Sequence, residues 1–181
     1  MATTILLTRH GETDWNRDRR VQGHTDRPLN DTGRAQALAL AQALAGEPLD
    51  AVYASDLSRA YETARAVAEP RHLPVRTVPE LREKNFGTWE GLTDEEIFSR
   101  FPDARRGHWG DGETPEDVAA RVVAALQEIA GRHPGATVLV ISHGGPLRAV
   151  RLHCSASTDG PIENCHVARL EVEGGDFRWL D

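Results

Sequence analysis

The clearest pattern along the chain is a pair of short, uninterrupted apolar runs that each stop at a His-Gly step. Ile5-Leu6-Leu7 leads into Thr8-Arg9-His10-Gly11, and Thr137-Val138-Leu139-Val140-Ile141 leads into Ser142-His143-Gly144-Gly145. Runs of this length without polar alternation predict strands buried on both faces. Ala51-Val52-Tyr53-Ala54 is a weaker strand candidate. It passes through Ser55-Asp56 into a helical stretch closed by Pro70, which puts Arg59 in that helix's first turn. From Thr32 to Ala45 alanine and leucine predominate, with a polar cap at Thr32 and a stop at Gly46, the composition of a helix. The helix expected over Pro115 to Arg132 is the most sharply periodic. Val118, Val122, Ala125, Leu126 and Ile129 share one face, Thr114 and Asp117 resemble a capping box, and Pro134-Gly135 ends it.

Strands alternating with helices predict an α/β fold: a mostly parallel central sheet flanked by helices on both faces, because each crossover helix packs back on the sheet. Near the carboxyl terminus Val167 to Val172 alternates, Gly174-Gly175 offers a turn and Phe177 to Leu180 is again apolar. That pattern predicts an antiparallel hairpin at an edge of the sheet. With 181 residues, no internal repeat and no low-complexity tract, one domain over residues 1–181 is expected. An edge hairpin also offers a second copy a strand to pair with, so a homodimer is among the expectations.

Composition narrows the classes. At 39% hydrophobic and 27% charged residues the chain reads as an ordinary globular protein, and no apolar run reaches membrane-spanning length. The stretch from Met1 to Leu7 lacks the basic region, long apolar segment and cleavage site of a secretory leader, so a cytoplasmic location is expected. Cys154 and Cys165 are too few for a disulfide framework and lack a metal-site spacing, so both read as reduced packing residues. A net charge of -7, with the Arg17, Arg19, Arg20 cluster interrupted by Asp18, argues against nucleic acid as a partner. Any anionic substrate must therefore be drawn in by a local concentration of positive groups.

The two His-Gly steps supply that concentration. In a parallel sheet the carboxyl ends of the strands share one edge, where ligands of open α/β folds bind, so Arg9, His10, Arg59 and His143 should converge. Such a set suits an oxyanion such as phosphate, and Gly11 and Gly144 would let backbone approach it closely. Alone, a strand-end histidine more often bonds local backbone; two of them beside Arg9 and Arg59 argue for chemistry. A neutral imidazole, His10 or His143, is a competent nucleophile toward phosphorus. Arginines match the equatorial oxygens of a transferring phosphoryl group. A departing alkoxide also needs a proton, and on the residues alone Glu12, Glu80, Glu83 and Glu90 are all open as its donor. His10-Gly11-Glu12 with His24 fits no common ligand set, and adjacent arginines repel cations, so neither a metal nor another cofactor is expected.

Leu7-Thr8-Arg9-His10-Gly11-Glu12-Thr13 with Trp15-Asn16 resembles the signature of the histidine phosphatase superfamily, which includes the cofactor-dependent phosphoglycerate mutases. The resemblance continues through Arg20-Val21-Gln22-Gly23, Ser55-Asp56-Leu57-Ser58-Arg59-Ala60, Leu81-Arg82-Glu83, Gly87-Thr88-Trp89-Glu90-Gly91 and Ser142-His143-Gly144-Gly145, spanning nearly the whole chain. It implies a phosphoglycerate mutase-like fold in which His10 becomes phosphorylated and Glu83 is the proton donor. Arg9, Arg59 and His143 would hold the phosphoryl group, with Asn16, Gln22, Gly23 and Gly144 completing the binding set. Mutases of the family tend to carry Cys-Gly where this chain has Gln22-Gly23, and they have a longer chain with an inserted segment. Both departures tilt the expectation toward hydrolysis of a small phosphorylated metabolite, with mutase activity as the alternative. Gly23-His24-Thr25-Asp26-Arg27-Pro28-Leu29 further resembles the α-ribazole phosphatase branch. The short interval between Gly91 and Thr114, with Phe98, Phe101, Arg105, Arg106, His108 and Trp109, would form a lid over the leaving group. Two departures from the family pattern are Lys84 beside Glu83 and His166, which would edge toward the pocket.

Overall fold

The computed structural model describes residues 1–106, 110–156 and 161–180, the side chains of 105 and 106 excepted. In chain order its elements are β1 (Thr3–Arg9), α1 (Asp14–Arg17), α2 (Asp31–Ala43), β2 (Ala51–Ala54), α3 (Ser58–Ala68), β3 (Val75–Thr77), α4 (Asp94–Arg100), α5 (Pro115–Arg132), β4 (Thr137–Ser142), α6 (Gly144–His153), β5 (Val167–Glu173) and β6 (Asp176–Trp179). The six strands form one sheet in the order β3-β2-β4-β1-β5-β6. The first four in that order run parallel, and β5 and β6 run antiparallel as the expected edge hairpin.

The apolar runs are buried on both faces, as their lack of alternation requires. Ile5, Leu7, Tyr53, Val138 and Val140 pack with Val118, Val122 and Leu126 of α5 and with Leu147 and Val150 of α6. Leu6, Val52, Leu139 and Ile141 pack on the opposite face with Leu40 of α2 and with Ala60, Ala64 and Val67 of α3. Each fully buried aliphatic side chain contributes about 1.5–3 kcal/mol of transfer free energy, so these two layers fix the sheet beneath the site. No helix among the described residues is long and apolar enough to cross a membrane.

The helix ends show where local patterning was incomplete. The α5 start is as the sequence predicts, with Pro115 in the first turn and a capping box between Thr114 and Asp117. The cap of α2 is Asn30, whose side chain accepts from the Gly33 N–H, rather than Thr32, so the cap lies two residues earlier than expected and the helix ends at Ala43. The α3 start has no cap from its own flank; instead Asp26 accepts from the Ser58 N–H at 2.8 Å and from the Ser58 hydroxyl at 2.7 Å. That distant carboxylate offsets the unfavourable placement of Arg59 in a first helical turn.

Three elements escape the sequence pattern. The three residues of β3 sit between Pro74 and Pro79 and are too few to show a period. The four-residue α1 is held by Thr13 and Asn16 acting as a capping box rather than by apolar spacing. α6 opens on Gly-Gly-Pro, a poor helix start, and forms because Pro146, Leu147 and Val150 are buried against the sheet.

Candidate active site

The parallel pairing of β1 with β4 places Arg9 opposite Ser142, and the ladder continues through a bond from the His10 N–H to the Ser142 carbonyl at 3.0 Å. His10 and His143 are thereby carried side by side, with ring centroids 5.0 Å apart and ring planes inclined at 60°. His10 is 2% exposed and His143 is fully buried. The Nδ1 of His10 lies 2.6 Å from the Gly11 carbonyl. A carbonyl only accepts, so Nδ1 carries the proton and the Nε2 lone pair is left for chemistry. Asn164, which the sequence reading did not single out, donates to the His10 carbonyl at 2.9 Å and holds its backbone.

Arg59 is fully buried at the start of α3, donating to the Gly23 carbonyl at 2.8 Å and the Thr25 carbonyl at 3.1 Å. Arg9 donates to the Ile162 carbonyl. The Nε atoms of both arginines and both ring nitrogens of His143 are buried without a hydrogen-bond partner among the described residues. Leaving such groups unserved costs about 1–3 kcal/mol each, so their clustering marks a place shaped for an anionic ligand. Burial lowers the Arg59 guanidinium to about 10, with Glu83 opposing the shift, and lowers Arg9 in the same sense, so both remain cationic near neutrality.

Both rings are held well below the ordinary histidine value. For His10 burial is the largest cause, followed by the charges of Arg59 and Arg9; for His143 it is burial, then Arg59. They are neutral imidazoles at neutral pH. An unfolded histidine takes up its proton near pH 6.5, whereas these do so only at much lower pH. Below pH 6.5 the unfolded chain therefore binds protons that the fold refuses, and stability falls with pH by up to about 1.4 kcal/mol per unit for each ring. Denaturation midpoints taken at about pH 7.5 and about pH 5.5 should drop for the wild type and drop less for His143→Gln. Parallel slopes would mean that the His143 ring takes up its proton in the fold as readily as in the unfolded chain.

The four glutamates have different fates. Glu12 accepts from the Asn30 amide at 2.8 Å, turned toward the α2 cap, and Glu80 is exposed. Glu90 accepts from the His24 and Thr25 N–H groups, the Thr25 hydroxyl and the Phe86 N–H, bracketing the loop whose carbonyls hold Arg59. Glu83 alone docks on α6: its carboxylate accepts from the Gly145 N–H at 3.1 and 3.2 Å and from the Lys84 N–H at 2.8 Å, and its charge acts on both Arg9 and Arg59. Residue 145 must be glycine for this, since a Cβ there would stand 2.1 Å from Glu83 Oε1. Arg121 of α5 fixes the same segment from below, donating to the carbonyls of Glu80, Arg82 and Glu83 while paired with Glu113. His24 Nε2 lies 2.9 Å from the Glu83 carbonyl as well. These partners are 38–41 and 59 residues away along the chain, which is why local patterning did not expose them.

The remaining predicted residues fall around this centre. Buried Thr13 links two of them: its hydroxyl is 2.8 Å from Gln22 Oε1, and its N–H donates to Asn16 Oδ1 at 3.1 Å. Both amide oxygens are thereby engaged, which leaves the amide nitrogens of Asn16 and Gln22 as the donors for a ligand. Gly144 begins α6, and a Cβ there would meet Arg9 Nε at 3.7 Å. Gly11 has a packing reason of its own, because a Cβ would stand 2.5 Å from the Gly33 carbonyl oxygen. His166 pairs with Arg9 through its backbone carbonyl at 3.2 Å. Burial lowers the Lys84 ammonium, which sits 5.0 Å from the Phe86 ring. Of the expected lid, α4 carries Phe98, and Phe101 packs on Trp89 at 6.1 Å; His108, Trp109 and the side chains of Arg105 and Arg106 lie outside the described residues. Among the described residues no group of three or more His, Cys, Asp or Glu side chains is placed to hold a metal ion. Cys165, its thiol pushed up to about 11 by burial, and Cys154 are both free.

The sequence profile of the histidine phosphatase superfamily (branch 1) matches residues 5–181. The chain belongs to that superfamily. It is 38% identical over 190 residues to the metal-independent phosphoserine phosphatase of Arabidopsis thaliana, covering 98% of this chain and 79% of the relative. Among solved structures it is similar to Bacillus stearothermophilus YhfR, with a TM-score of 0.89 and 38% identity over 98% of this chain and 95% of that one. It is also similar to a phosphoglycerate mutase from Bacillus anthracis, with a TM-score of 0.86 and 27% identity over 99% of this chain and 92% of that one. As a histidine phosphatase superfamily member it shares the phosphoglycerate mutase-like architecture, with the mostly parallel sheet and the His-Gly strand ends already described.

Proposed function

We propose that this superfamily member is a metal-independent phosphomonoesterase that works through a phosphohistidine on His10. The observation that carries the reading is the His10 ring: buried, neutral, with Nδ1 tied to Gly11, packed against the His143 ring and within the field of Arg59 and Arg9. In the first step Nε2 attacks phosphorus while the bond to the leaving oxygen breaks and that oxygen takes a proton from the Glu83 carboxyl. In the second step water attacks phosphorus, Glu83 takes its proton, and the phosphorus–nitrogen bond breaks to restore the imidazole. Arg9 and Arg59 stabilise the charge on the equatorial oxygens, with His143, Gln22 and Asn16 as further donors and the backbone at Gly23 and Gly144 flanking the group. The substrate class is a small phosphorylated metabolite, and the similarity to a metal-independent phosphoserine phosphatase supports hydrolysis without a metal.

Phosphate release from a panel of phosphomonoesters should proceed at the same rate with excess chelator present. A rate that collapses on chelation and returns with a divalent cation would overturn the metal-independent assignment. The similarity to a mutase favours one second reading. With 3-phosphoglycerate and a bisphosphoglycerate primer, free phosphate should form faster than isomerised product; the reverse order would make the protein a mutase.

A further inference from the structure

The carbonyl that fixes the His10 tautomer belongs to Gly11, the residue type least able to hold its own backbone still, because without a Cβ its φ and ψ are unrestricted. The two peptide groups that follow His10 are instead pinned from outside, each at both ends. The His10–Gly11 peptide has its carbonyl held by the Asn164 amide at 2.9 Å and its N–H by the Thr63 hydroxyl at 3.0 Å. The Gly11–Glu12 peptide has its carbonyl 2.6 Å from His10 Nδ1 and its N–H donating to Gln36 Oε1 at 2.8 Å. Thr63 of α3, Gln36 of α2 and Asn164 before β5 reach these peptides from 52, 24 and 154 residues away.

Of the three, Thr63 is the hardest to replace. It is fully buried in α3, one turn beyond Arg59. Its hydroxyl proton goes to the Arg59 carbonyl at 2.7 Å, the bond a threonine makes to the residue four before it in a helix, so an oxygen lone pair is free to accept from Gly11. One side-chain oxygen thereby joins the helical turn that carries the phosphate-holding arginine to the backbone that orients the nucleophile. Gln36 is half-buried, and water can serve the Glu12 N–H in its place. The Gly11 N–H is buried; without the hydroxyl it loses the acceptor the fold gives it, which favours rotation of the peptide toward another partner. The Arg59 guanidinium is held separately, by the Gly23 and Thr25 carbonyls, so the grip on phosphate does not run through Thr63.

Resting on the phosphohistidine reading, we propose that Thr63 is a positioning residue for His10: through the Gly11 peptide it keeps the imidazole in the Nδ1-protonated tautomer, with the Nε2 lone pair available for phosphorus. Thr63→Val keeps the shape and the methyl group and loses the hydroxyl; Thr63→Ser keeps the hydroxyl and loses the methyl. Thr63→Val should lower kcat for phosphate release by on the order of tenfold to a hundredfold, as misplacing a reacting atom does, while the inhibition constant of inorganic phosphate moves by less than about threefold. Thr63→Ser should stay within about threefold of wild type in both. Nitrogen NMR of protein carrying isotopically labelled histidine, with the His10 signals identified by their loss in His10→Ala, reads the tautomer directly. The wild type and Thr63→Ser should show a single form with the proton on Nδ1, and Thr63→Val a mixture of the two. A His10 signature unchanged in Thr63→Val would overturn the proposal whatever the rate. A serine variant as slow as the valine one would overturn it too, giving the position to the methyl group and to packing. The ring signature needs no turnover: absence of phosphate release from every ester tried would remove the phosphatase reading, and the tautomer in the three proteins would still decide whether Thr63 orients His10.

Discussion

Replacing His10 with alanine lowers phosphate release by on the order of 10⁴-fold or more, the loss expected when the covalent route is removed and only binding and electrostatic stabilisation survive. Among the described residues the geometry gives no substitute nucleophile of equal standing. His143 is as neutral as His10, but it is fully buried and, among the described residues, neither of its ring nitrogens is bonded so as to fix a tautomer, whereas Gly11 fixes that of His10. The wild type, mixed with a radiolabelled phosphomonoester and denatured in base, should retain protein-bound label that acid releases, the behaviour of a phosphoramidate. His10→Ala should retain none. Full turnover in the variant, or label that persists in it, would move the covalent step to another residue. Circular dichroism separates this outcome from misfolding, since His10 contributes its backbone N–H, not its ring, to the β1–β4 ladder.

How much of this was legible beforehand follows from which interactions are local. The His10 and His143 strand ends could be read because an unbroken apolar run ending in His-Gly fixes both the strand and its direction, and a parallel sheet then brings such ends together. The full span of α5 could be read because its cap, its apolar face and its stop all lie within about twenty residues. The choice of Glu83 over Glu12, Glu80 and Glu90 could not, on the residues alone; only the family resemblance named it. What separates the four carboxylates in space is contact with the far side of the chain: Gly145 for Glu83, Asn30 for Glu12, and the His24–Thr25 backbone for Glu90. The same holds for Thr13, whose reach to Gln22 and Asn16 depends on a turn that carries no periodic signature. Elements supported by tertiary burial against poor propensity, α6 above all, were invisible for a related reason: Gly144-Gly145-Pro146 argues locally against a helix that the sheet requires.

Substituting Glu83 by glutamine should have an effect that depends on the alcohol being expelled. An alkyl phosphate expels a strongly basic oxygen, so loss of the proton donor should reduce its hydrolysis by about 10²–10⁴-fold. A p-nitrophenyl phosphate expels a stabilised phenolate that needs no proton, so the same variant should retain that activity to within roughly tenfold, the remainder reflecting slower activation of water in the second step. Gly145→Ala provides an independent approach to the same group, because it leaves the carboxylate in the sequence but thrusts a Cβ to within 2.1 Å of its docked position. With the Gly145 N–H no longer accessible, the carboxylate is displaced from the α6 N-terminus, and the variant should show the same leaving-group dependence in weaker form. A merely structural role for Glu83 would depress both substrates together, in both variants. That result would reassign proton donation, and since Glu12 and Glu90 have their carboxylates committed to Asn30 and to the His24–Thr25 loop, it would point instead to a group reaching the site only with substrate bound.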